Sequence, residues 1–257
     1  MRHDGTQSIG RAVGLLKLIA TRPAAGWRVA DLASQAGLDE ATARRVLKRL
    51  LLERAVALSP ADRRYRPGPL LFELGLTVAP LQAFREACEP ELKQLSNATG
   101  AASLLYLRAE DEFVCIGRSG AESLHWLVLR VGTRRSLGLS AGGAAILVAL
   151  PDGERDDVVA RCRAEAERRG ASYRAQFERI LERSVRYGAG VNLGDGLPGV
   201  TALAVAIRTA GDRPFAAIGV SGPIERYPEN VVESLLARLG AAAARIETGH
   251  AEVIAAL

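Results

Sequence analysis

The sequence is poor in the residues that build disulfides, metal sites and membrane spans. Its 257 residues include only three cysteines and three histidines. Cys88, Cys115 and Cys162 are odd in number and widely spaced, and no Cys-x-x-Cys pair or histidine at ligand spacing accompanies them. A disulfide framework or a structural zinc site is therefore not expected, and each thiol is predicted to be buried by packing. No run approaches about 18 uninterrupted apolar residues, so no membrane span is predicted.

Signatures of catalysis and cofactor binding are not expected either. No nucleophile elbow and no His-Glu-x-x-His motif is predicted, and His125 has no partner at the spacing of a triad or a metal site. The glycine-rich stretch 188–194 lacks the Gly-Lys-Ser/Thr of a phosphate-binding loop, so a loop beside a binding site is predicted there, with Asp195 as a turn residue. No catalytic residue, metal ligand or cofactor is predicted. An enzyme that turns over a small molecule and an interaction protein that only assembles oligomers stay open as alternatives.

The positive charge of the chain is concentrated in its first third. Residues 1–80 carry 13 Lys and Arg against 7 Asp and Glu, whereas the remainder carries 21 against 22. The length allows two domains with a core each. A basic first third beside a neutral remainder favours that division, with the first domain facing a polyanion such as duplex DNA.

Helical periodicity in the basic third predicts three helices followed by a hairpin. Apolar spacing predicts a first helix over Ser8–Thr21, a brief second helix from Val29 and a third helix over Asp39–Glu53. The segments Ala55–Leu58 and Arg64–Arg66 are expected to pair as two short strands. This order is that of a winged helix-turn-helix, which places its recognition helix in the major groove.

Cationic side chains of this region are the predicted DNA contacts. On the third helix, Arg45 and Lys48 lie opposite the apolar stripe, and Thr42 lies in the first turn, where recognition helices meet base edges. A basic helix is as often only a solvated face, but this one coincides with the helix order, a basic hairpin and a neutral remainder. The residues predicted to contact double-stranded DNA are Arg28, Thr42, Arg44, Arg45, Lys48, Arg63, Arg64 and Arg66.

The remainder of the chain predicts a mixed α+β domain. Predicted strands are Ala102–Leu107, Phe113–Arg118, Trp126–Val131, Val200–Arg208 and Phe215–Ser221. Predicted helices are Leu81–Thr99, Ala141–Leu150, Gly153–Arg169, Tyr173–Tyr187 and Pro228–Thr248. Because the last two strands follow each other in hairpin order, an antiparallel sheet flanked by helices is expected. Pro80 interrupts a helical pattern, which places the domain boundary near it.

The stretch Gly138–Gly143 has two interpretations. Its serine and glycines precede an apolar helix, so free backbone amides and the helix dipole favour an anion such as a ligand carboxylate. Small residues also allow tight strand-to-helix packing, which needs no ligand. Sequence alone leaves both open.

Short stretches along nearly the whole chain share their order and spacing with a known family. In the first third they are Ser8-Ile9-Gly10-Arg11-Ala12-Val13-x-Leu15-Leu16, Val29-Ala30-Asp31-Leu32-Ala33, Ala36-Gly37-Leu38 and Tyr65-Arg66-Pro67-Gly68-Pro69. Later they are Gly132-x-Arg134, Gly142-Gly143-Ala144-Ala145, Tyr187-Gly188, Pro198-Gly199-Val200 and Ala216-Ala217-Ile218-x-Val220-Ser221-Gly222-Pro223. In this order, over roughly Ser8 to Ile246, they resemble the IclR family of bacterial transcriptional regulators.

The resemblance implies a winged helix-turn-helix over residues 1–68, a linker helix over 69–82 and a GAF-like, profilin-type domain over 83–257 that senses a small carboxylate or aromatic metabolite. It also implies a homodimer or a dimer of dimers on a palindromic operator. Effector binding is expected to act on the DNA modules through the connection Gly68–Leu81. The N-terminus has no short apolar core with a cleavage site, so a cytoplasmic protein is expected.

The resemblance also assigns an effector site. Small-acid sensors of the family usually carry an acidic residue, a cysteine and a serine where this chain has Asn192, Ala202 and Gly219. With fewer polar groups and more room, an effector larger or more apolar than glyoxylate or pyruvate is expected. Leu127 and Leu129 are assigned as an apolar wall, with plain core as the alternative. The implied effector-binding residues are Leu127, Leu129, Ser140, Ala141, Gly142, Asn192, Ala202, Gly219 and Ser221.

Overall fold

The computed structural model describes residues 6–120 and 129–257. The chain separates into two compact units, Met1–Ala79 and Pro80–Leu257, each with its own core. Secondary structure is mixed α and β, and the larger unit is built on one antiparallel sheet. Every helix among the described residues is too short or too polar to cross a membrane.

The first unit is three helices and a two-stranded hairpin, followed by a short helix. In order these are α1 (Gln7–Ala20), α2 (Val29–Gln35), α3 (Glu40–Leu52), β1 (Val56–Leu58), β2 (Tyr65–Pro67) and α4 (Pro69–Gly75). Their inward faces form one core, to which Leu15, Leu32 and Leu47 contribute fully buried side chains from the three helices. The apolar stripe at helical spacing is therefore what orients α3 and turns its other face outward.

Local signals set the boundaries of α3. Gly37 takes the left-handed conformation, with φ of 63°, so the chain reverses between α2 and α3. Asp39 then caps α3, its Oδ1 accepting the Thr42 backbone N–H at 2.8 Å. These hydrogen bonds to the ionised form hold the pKa of Asp39 below its usual value.

The second unit is a six-stranded antiparallel sheet with helices on both faces. Its strands are β3 (Ala102–Ala109), β4 (Glu112–Ser119), β5 (Arg134–Ser136), β6 (Gly190–Leu193), β7 (Val200–Arg208) and β8 (Pro214–Pro223), in the spatial order β5-β4-β3-β8-β7-β6. Its helices are α5 (Ala79–Thr99), α6 (Ala141–Ala149), α7 (Asp152–Arg169), α8 (Ala171–Tyr187), α9 (Val232–Gly249) and α10 (Ala251–Ala255).

Alternation along the strands divides the core of this unit into two layers. Leu105, Leu203 and Ile218 point toward α5 and α9. Leu104 and Tyr106 point to the opposite face, which α6, α7 and α8 cover. Because successive side chains of a strand alternate between faces, each of these strands contributes to both layers. We call the second side of the sheet the α6 face.

Four segments differ from the sequence expectations. The predicted loop at 188–194 contains strand β6, which is completed by pairing with β7 across the sheet. Strand β5, only three residues long, was not expected. The strand predicted over Trp126–Val131 begins outside the described residues, and Leu129–Val131 are not in a strand. The segment predicted as one linker helix contains the whole of α4 and the start of α5, separated by residues 76–78.

Pro80 does not interrupt a helix. It is the second residue of α5, where the backbone N–H that proline lacks would have no helical partner in any case. The same position is where the two units divide.

Candidate functional site

The outward face of α3 presents exposed cations. Arg45 and Lys48 are exposed, and neither forms an ion pair within the described residues. Arg44 is exposed too, but its Nε donates to Glu40 Oε1 at 3.0 Å, one helical turn earlier. Thr42 is half-buried in the first turn, with its backbone N–H bound to Asp39. The sequence-predicted cations of this helix therefore share one accessible face on a rigid rod.

The hairpin arginines divide into one accessible residue and two anchored ones. Arg63 is exposed at the turn, with no ion pair in the described part of the chain. Arg64 donates through Nη1 to the carbonyl oxygens of Ala25 and Gly26, at 3.4 and 3.3 Å. Arg66 donates to the Ala24 carbonyl at 3.1 Å. Of these three predicted DNA contacts, one is therefore freely accessible and two also hold the hairpin to the loop before α2.

That loop also carries a predicted contact. Arg28, which precedes α2 as its N-cap residue, is exposed and has no ion pair among the described residues. Close by, the Arg22 guanidinium lies over the Trp27 ring, 3.9 Å from its centroid. The loop is therefore held by stacking and by the two hairpin arginines, which fixes where Arg28 emerges.

Strand pairing brings four of the nine predicted effector residues together. Asn192 pairs with Ala202, and Ala202 pairs with Ser221, so the three form a row across β6, β7 and β8. Gly219 lies in the next row and pairs with Ala204. All four effector residues are on the α6 face, and Asn192 and Ser221 are buried, at 7% and 3% exposed. Strand β6 was not predicted from the sequence, and without it the alignment of these residues across three strands could not be predicted either.

The first turn of α6 packs tightly on the sheet. A Cβ on Gly142 would lie 2.5 Å from the Tyr106 ring, and one on Gly190 of β6 would lie 1.8 Å from the Ala141 carbonyl oxygen. Buried Ser140 caps the helix, its Oγ accepting the Gly143 N–H at 3.1 Å. Small residues here are therefore required for packing, whatever else the turn binds.

Residues 138–142 match the letters Gly-x-Ser-x-Gly of a nucleophile elbow, contrary to the sequence expectation that no such motif is present. An elbow needs its serine on a strained turn directly after a strand. Ser140 instead has an ordinary extended backbone, with φ of −154°, and follows the short 3-10 helix Leu137–Leu139. Its hydroxyl oxygen caps a helix, so the spacing here is structural.

Asn192 is bound to the loop that follows its strand. Its Oδ1 accepts the backbone N–H groups of Asp195 and Gly196, at 2.9 and 3.2 Å. This assignment places the amide oxygen toward the loop, so the two N–H donors are the part of the amide left for a ligand. Asp195 is more than a turn residue, because its carboxylate, 6% exposed, pairs with Arg179 and Arg183 of α8.

The remaining predicted positions are partly outside the described residues. Leu129 is half-buried against the core of the α6 face, which fits the plain-core alternative. Leu127 lies outside the described residues. Two residues that sequence reasoning missed also lie beside the predicted positions, namely Tyr106 against Gly142 and Gln176 beside Gly196.

Buried thiols take no part in this chemistry. Cys88, Cys115 and Cys162 are free and buried. Burial raises the pKa of Cys88 to about 12 and that of Cys115 to about 11, because the apolar surroundings disfavour a thiolate. Among the described residues, no group of His, Cys, Asp and Glu is arranged to hold a metal ion.

Comparison with known proteins matches both units. The model of the IclR helix-turn-helix domain matches residues 8–58, and that of the bacterial transcriptional regulator IclR C-terminal domain matches residues 78–248. The glycerol operon regulatory protein of Streptomyces griseus is 28% identical over 223 residues, 86% of each chain.

Solved structures share the fold. An IclR family transcriptional regulator from Brucella abortus superposes with a TM-score of 0.77 at 19% identity, over 97% of this chain and 95% of that one. An IclR homolog from Microbacterium hydrocarbonoxydans, complexed with 4-hydroxybenzoate, superposes with a TM-score of 0.66 at 22% identity, over 94% and 98%.

The matched domains and the curated relatives are those of transcriptional regulators and not of enzymes. The helix-turn-helix unit, the antiparallel sheet flanked by helices and the two family matches agree with each other. This chain therefore belongs to the IclR family of bacterial transcriptional regulators.

Proposed function

We propose that this regulator binds a palindromic operator in double-stranded DNA, as a dimer or a dimer of dimers in the cytoplasm, and that a small organic acid or aromatic metabolite controls it. The observation that carries the proposal is the exposed face of α3, where Arg45 and Lys48 have no ion pair within the described residues. Because these cations are held on a rigid helix and no ion pair to another described residue has to be broken, they are available to phosphates and base edges.

Arg28 and Arg63 extend this surface. Both are exposed and lack ion pairs in the described part of the chain, one before α2 and one at the hairpin turn. Phosphate contacts flanking a recognition helix fix its register on the duplex without reading sequence. We assign these two residues to phosphate and the α3 cations to the major groove.

Exposed apolar residues of the first unit support self-association. Ile9 of α1 is 63% exposed, Phe72 of α4 is 71% exposed and Leu74 is 55% exposed. Large apolar side chains concentrated on two helices are typical of a surface that a second copy covers. A two-fold assembly would present two α3 helices to two half-sites, as a palindromic operator requires.

The residues of the α6 face favour an acidic effector larger than glyoxylate or pyruvate. Ser140 already satisfies the Gly143 N–H, so the amides of Ala141 and Gly142 in the same first turn are the donors available to a carboxylate or hydroxyl oxygen of the effector. On the same face, the row of Asn192, Ala202 and Ser221 combines an amide and a hydroxyl with a small apolar side chain. The structural homolog complexed with 4-hydroxybenzoate agrees with an aromatic acid. The effector would act on DNA by favouring one quaternary state.

DNA binding is tested by removing the two α3 cations together. We expect Arg45→Ala/Lys48→Ala to lose at least about 10-fold in affinity for operator DNA and to show a shallower dependence on salt. Fluorescence anisotropy over a salt series, with the intergenic DNA next to the gene as probe, measures both quantities. The matched control is Arg168→Ala/Arg238→Ala, which removes two exposed cations from the second unit. Equal affinity and slope for wild type and the α3 variant would refute the assignment.

A further inference from the structure

Arg135 is an interior-facing arginine at the edge of the second unit's sheet. It lies in β5, and its partner in β4 is Phe113, whose side chain is fully buried in the core of the α6 face. Paired residues of antiparallel strands project to the same side of a sheet. The Arg135 side chain therefore starts on the α6 face, and the residue is only half-buried, so solvent still reaches it.

No carboxylate neutralises this guanidinium in the part of the chain that the structure describes. Its neighbours differ, because Arg134 on the opposite face pairs with Glu112 and Arg169 of α7 pairs with Glu165. Burial lowers the pKa of Arg135 below its usual value, since desolvation disfavours the charged form, while Tyr173 and Tyr106 oppose that effect. A partly desolvated charge without a counter-ion is a cost in the folded protein that a bound anion would relieve.

Aromatic rings connect this charge to the effector site. Tyr106 and Phe113 meet edge to face, with ring centroids 5.2 Å apart. The Tyr106 ring also lies against Gly142, in the first turn of α6. Buried Tyr106 thus packs both on Phe113, the strand partner of Arg135, and on the effector-binding turn.

We propose that Arg135 is a specificity-determining residue of the effector site, where it pairs with the carboxylate of an aromatic monocarboxylic acid. The proposal rests on the proposed function, since it presupposes that this face binds the effector. Guanidinium is always charged and matches a carboxylate with two parallel hydrogen bonds, which a point charge cannot do. Neutral amides of the same shape would leave the charge unpaired and are therefore rejected.

Three variants test the pairing by isothermal titration and thermal shift. Arg135→Gln removes the charge, Arg135→Lys keeps the charge without the fork, and Arg134→Gln is the matched control on the adjacent, opposite-facing residue. The probes are benzoate, 4-hydroxybenzoate and phenylacetate, each with its neutral amide, at up to about 10 mM.

We expect an acid to bind the wild type and the Arg134→Gln variant equally, and its amide to bind neither. Arg135→Gln should lose at least about 10-fold in affinity, with Arg135→Lys in between. Equal binding of the acid to wild type and Arg135→Gln, equal binding of acid and amide, or no binding of any probe to the wild type would each overturn the proposal.

A readout without ligand separates binding from structural support. Arg135→Met keeps the length of the side chain and removes the charge, so the unliganded protein should melt at the same temperature as wild type or higher. A clear fall in Tm would mean that Arg135 supports the fold, and would overturn the proposal. Operator binding without effector is measured in parallel. If the wild type does not bind operator DNA, the proposed function is contradicted. If the wild type binds operator DNA but the Arg135 variants bind the acids as tightly as wild type does, only the assignment of Arg135 is overturned.

Discussion

Arg66 and Asp62 form a two-pronged ion pair across the hairpin turn, with Nη1 to Oδ1 at 3.0 Å and Nη2 to Oδ2 at 2.6 Å. The Arg66 guanidinium holds the pKa of Asp62 well below its usual range. Because the same side chain also donates to the Ala24 carbonyl, its hydrogen-bonding capacity is largely used within the protein. A residue that composition marks as a phosphate contact is thus part of the hairpin's own structure.

Arg63 is exposed whereas Arg66 is bonded within the hairpin, so substitutions of these two arginines should have different effects. Arg63→Gln should reduce the salt slope of DNA binding by about 1 without changing Tm, since an exposed cation is lost. Arg66→Gln should lower Tm while leaving the slope nearly unchanged, because a hairpin cross-link is lost. Anisotropy over a salt series and differential scanning calorimetry measure the two quantities. The reverse pattern would place Arg66, and not Arg63, on the phosphates.

Acid should destabilise the second unit through Glu154. Arg108 hydrogen-bonds the carboxylate and lowers the pKa of Glu154, with Arg213 adding to the effect. A pKa lower in the folded than in the unfolded state gives stability that is present above the unfolded pKa and is lost as the pH falls through the folded one. Melting curves from pH 7 to pH 3 should therefore fall more steeply below about 4.5 for wild type than for Glu154→Gln. Parallel curves for wild type and Glu154→Gln would show that this ion pair contributes nothing to the pH dependence of Tm. The control is Glu233→Gln, which changes an exposed glutamate of α9.

Close packing at the start of α6 predicts a cost for one added methyl group. Gly142→Ala should destabilise by about 1–3 kcal/mol, because the new Cβ would lie 2.5 Å from the Tyr106 ring. In Gly240→Ala of α9 the new Cβ meets no atom of the described residues within 4 Å, so this change should stabilise by roughly 0.5–1 kcal/mol through helix propensity. Urea denaturation of both variants measures the difference. If Gly142→Ala has the same free energy of unfolding as wild type, the Tyr106 ring moves aside easily and the packing at the start of α6 is less tight than its contacts indicate.

The orientation of the Asn192 amide predicts selectivity for acceptor groups on the effector. In Asn192→Asp a carboxylate oxygen still accepts the Asp195 and Gly196 N–H groups, but the two side-chain donors are replaced by negative charge. Binding of a carboxylate effector should weaken by at least about 10-fold, while Asn192→Ser, which keeps a donor, should weaken it less. Titration calorimetry with the best-binding acid decides the point. Tighter binding to the aspartate variant would show that the ligand presents a donor here.

Buried thiols should be inert in the native protein. Because burial raises the pKa of Cys88 to about 12 and of Cys115 to about 11, almost no thiolate is present at pH 8. A disulfide reagent such as Ellman's should report no fast-reacting thiol in the native protein and all three after addition of guanidinium. Because the pKa of these thiols is higher in the folded than in the unfolded state, their contribution to folding stability is fully present below the unfolded thiol pKa of about 8.5. It declines as the pH rises above that value. Rapid labelling of a native cysteine would reveal an open state that exposes it.

Local signals gave the first unit almost completely, and the second unit only in part. Asp39 and Gly37 specify the ends of α3 and α2 through contacts made within a few residues. Strands β5 and β6 had no such signal. Each has three or four residues, β6 begins with Gly190, and both exist because a neighbouring strand supplies the hydrogen bonds. The spacing of Gly138 to Gly142 likewise means one thing in a strained elbow and another in a helix cap, and only the backbone angles distinguish them.

The amino-acid sequence alone determined that a basic helical module precedes a neutral α+β domain, because charge content and hydrophobic period are properties of short stretches of chain. The tertiary structure decided which cations stay available and which effector residues lie together. Arg45 and Arg66 are the same residue type, yet within the described segments only Arg66 is bound by a carboxylate and a carbonyl oxygen. Asn192, Ala202 and Ser221 come from three strands whose register aligns them. Long-range pairing of strands fixes such neighbourhoods, and one-dimensional patterns carry no record of it.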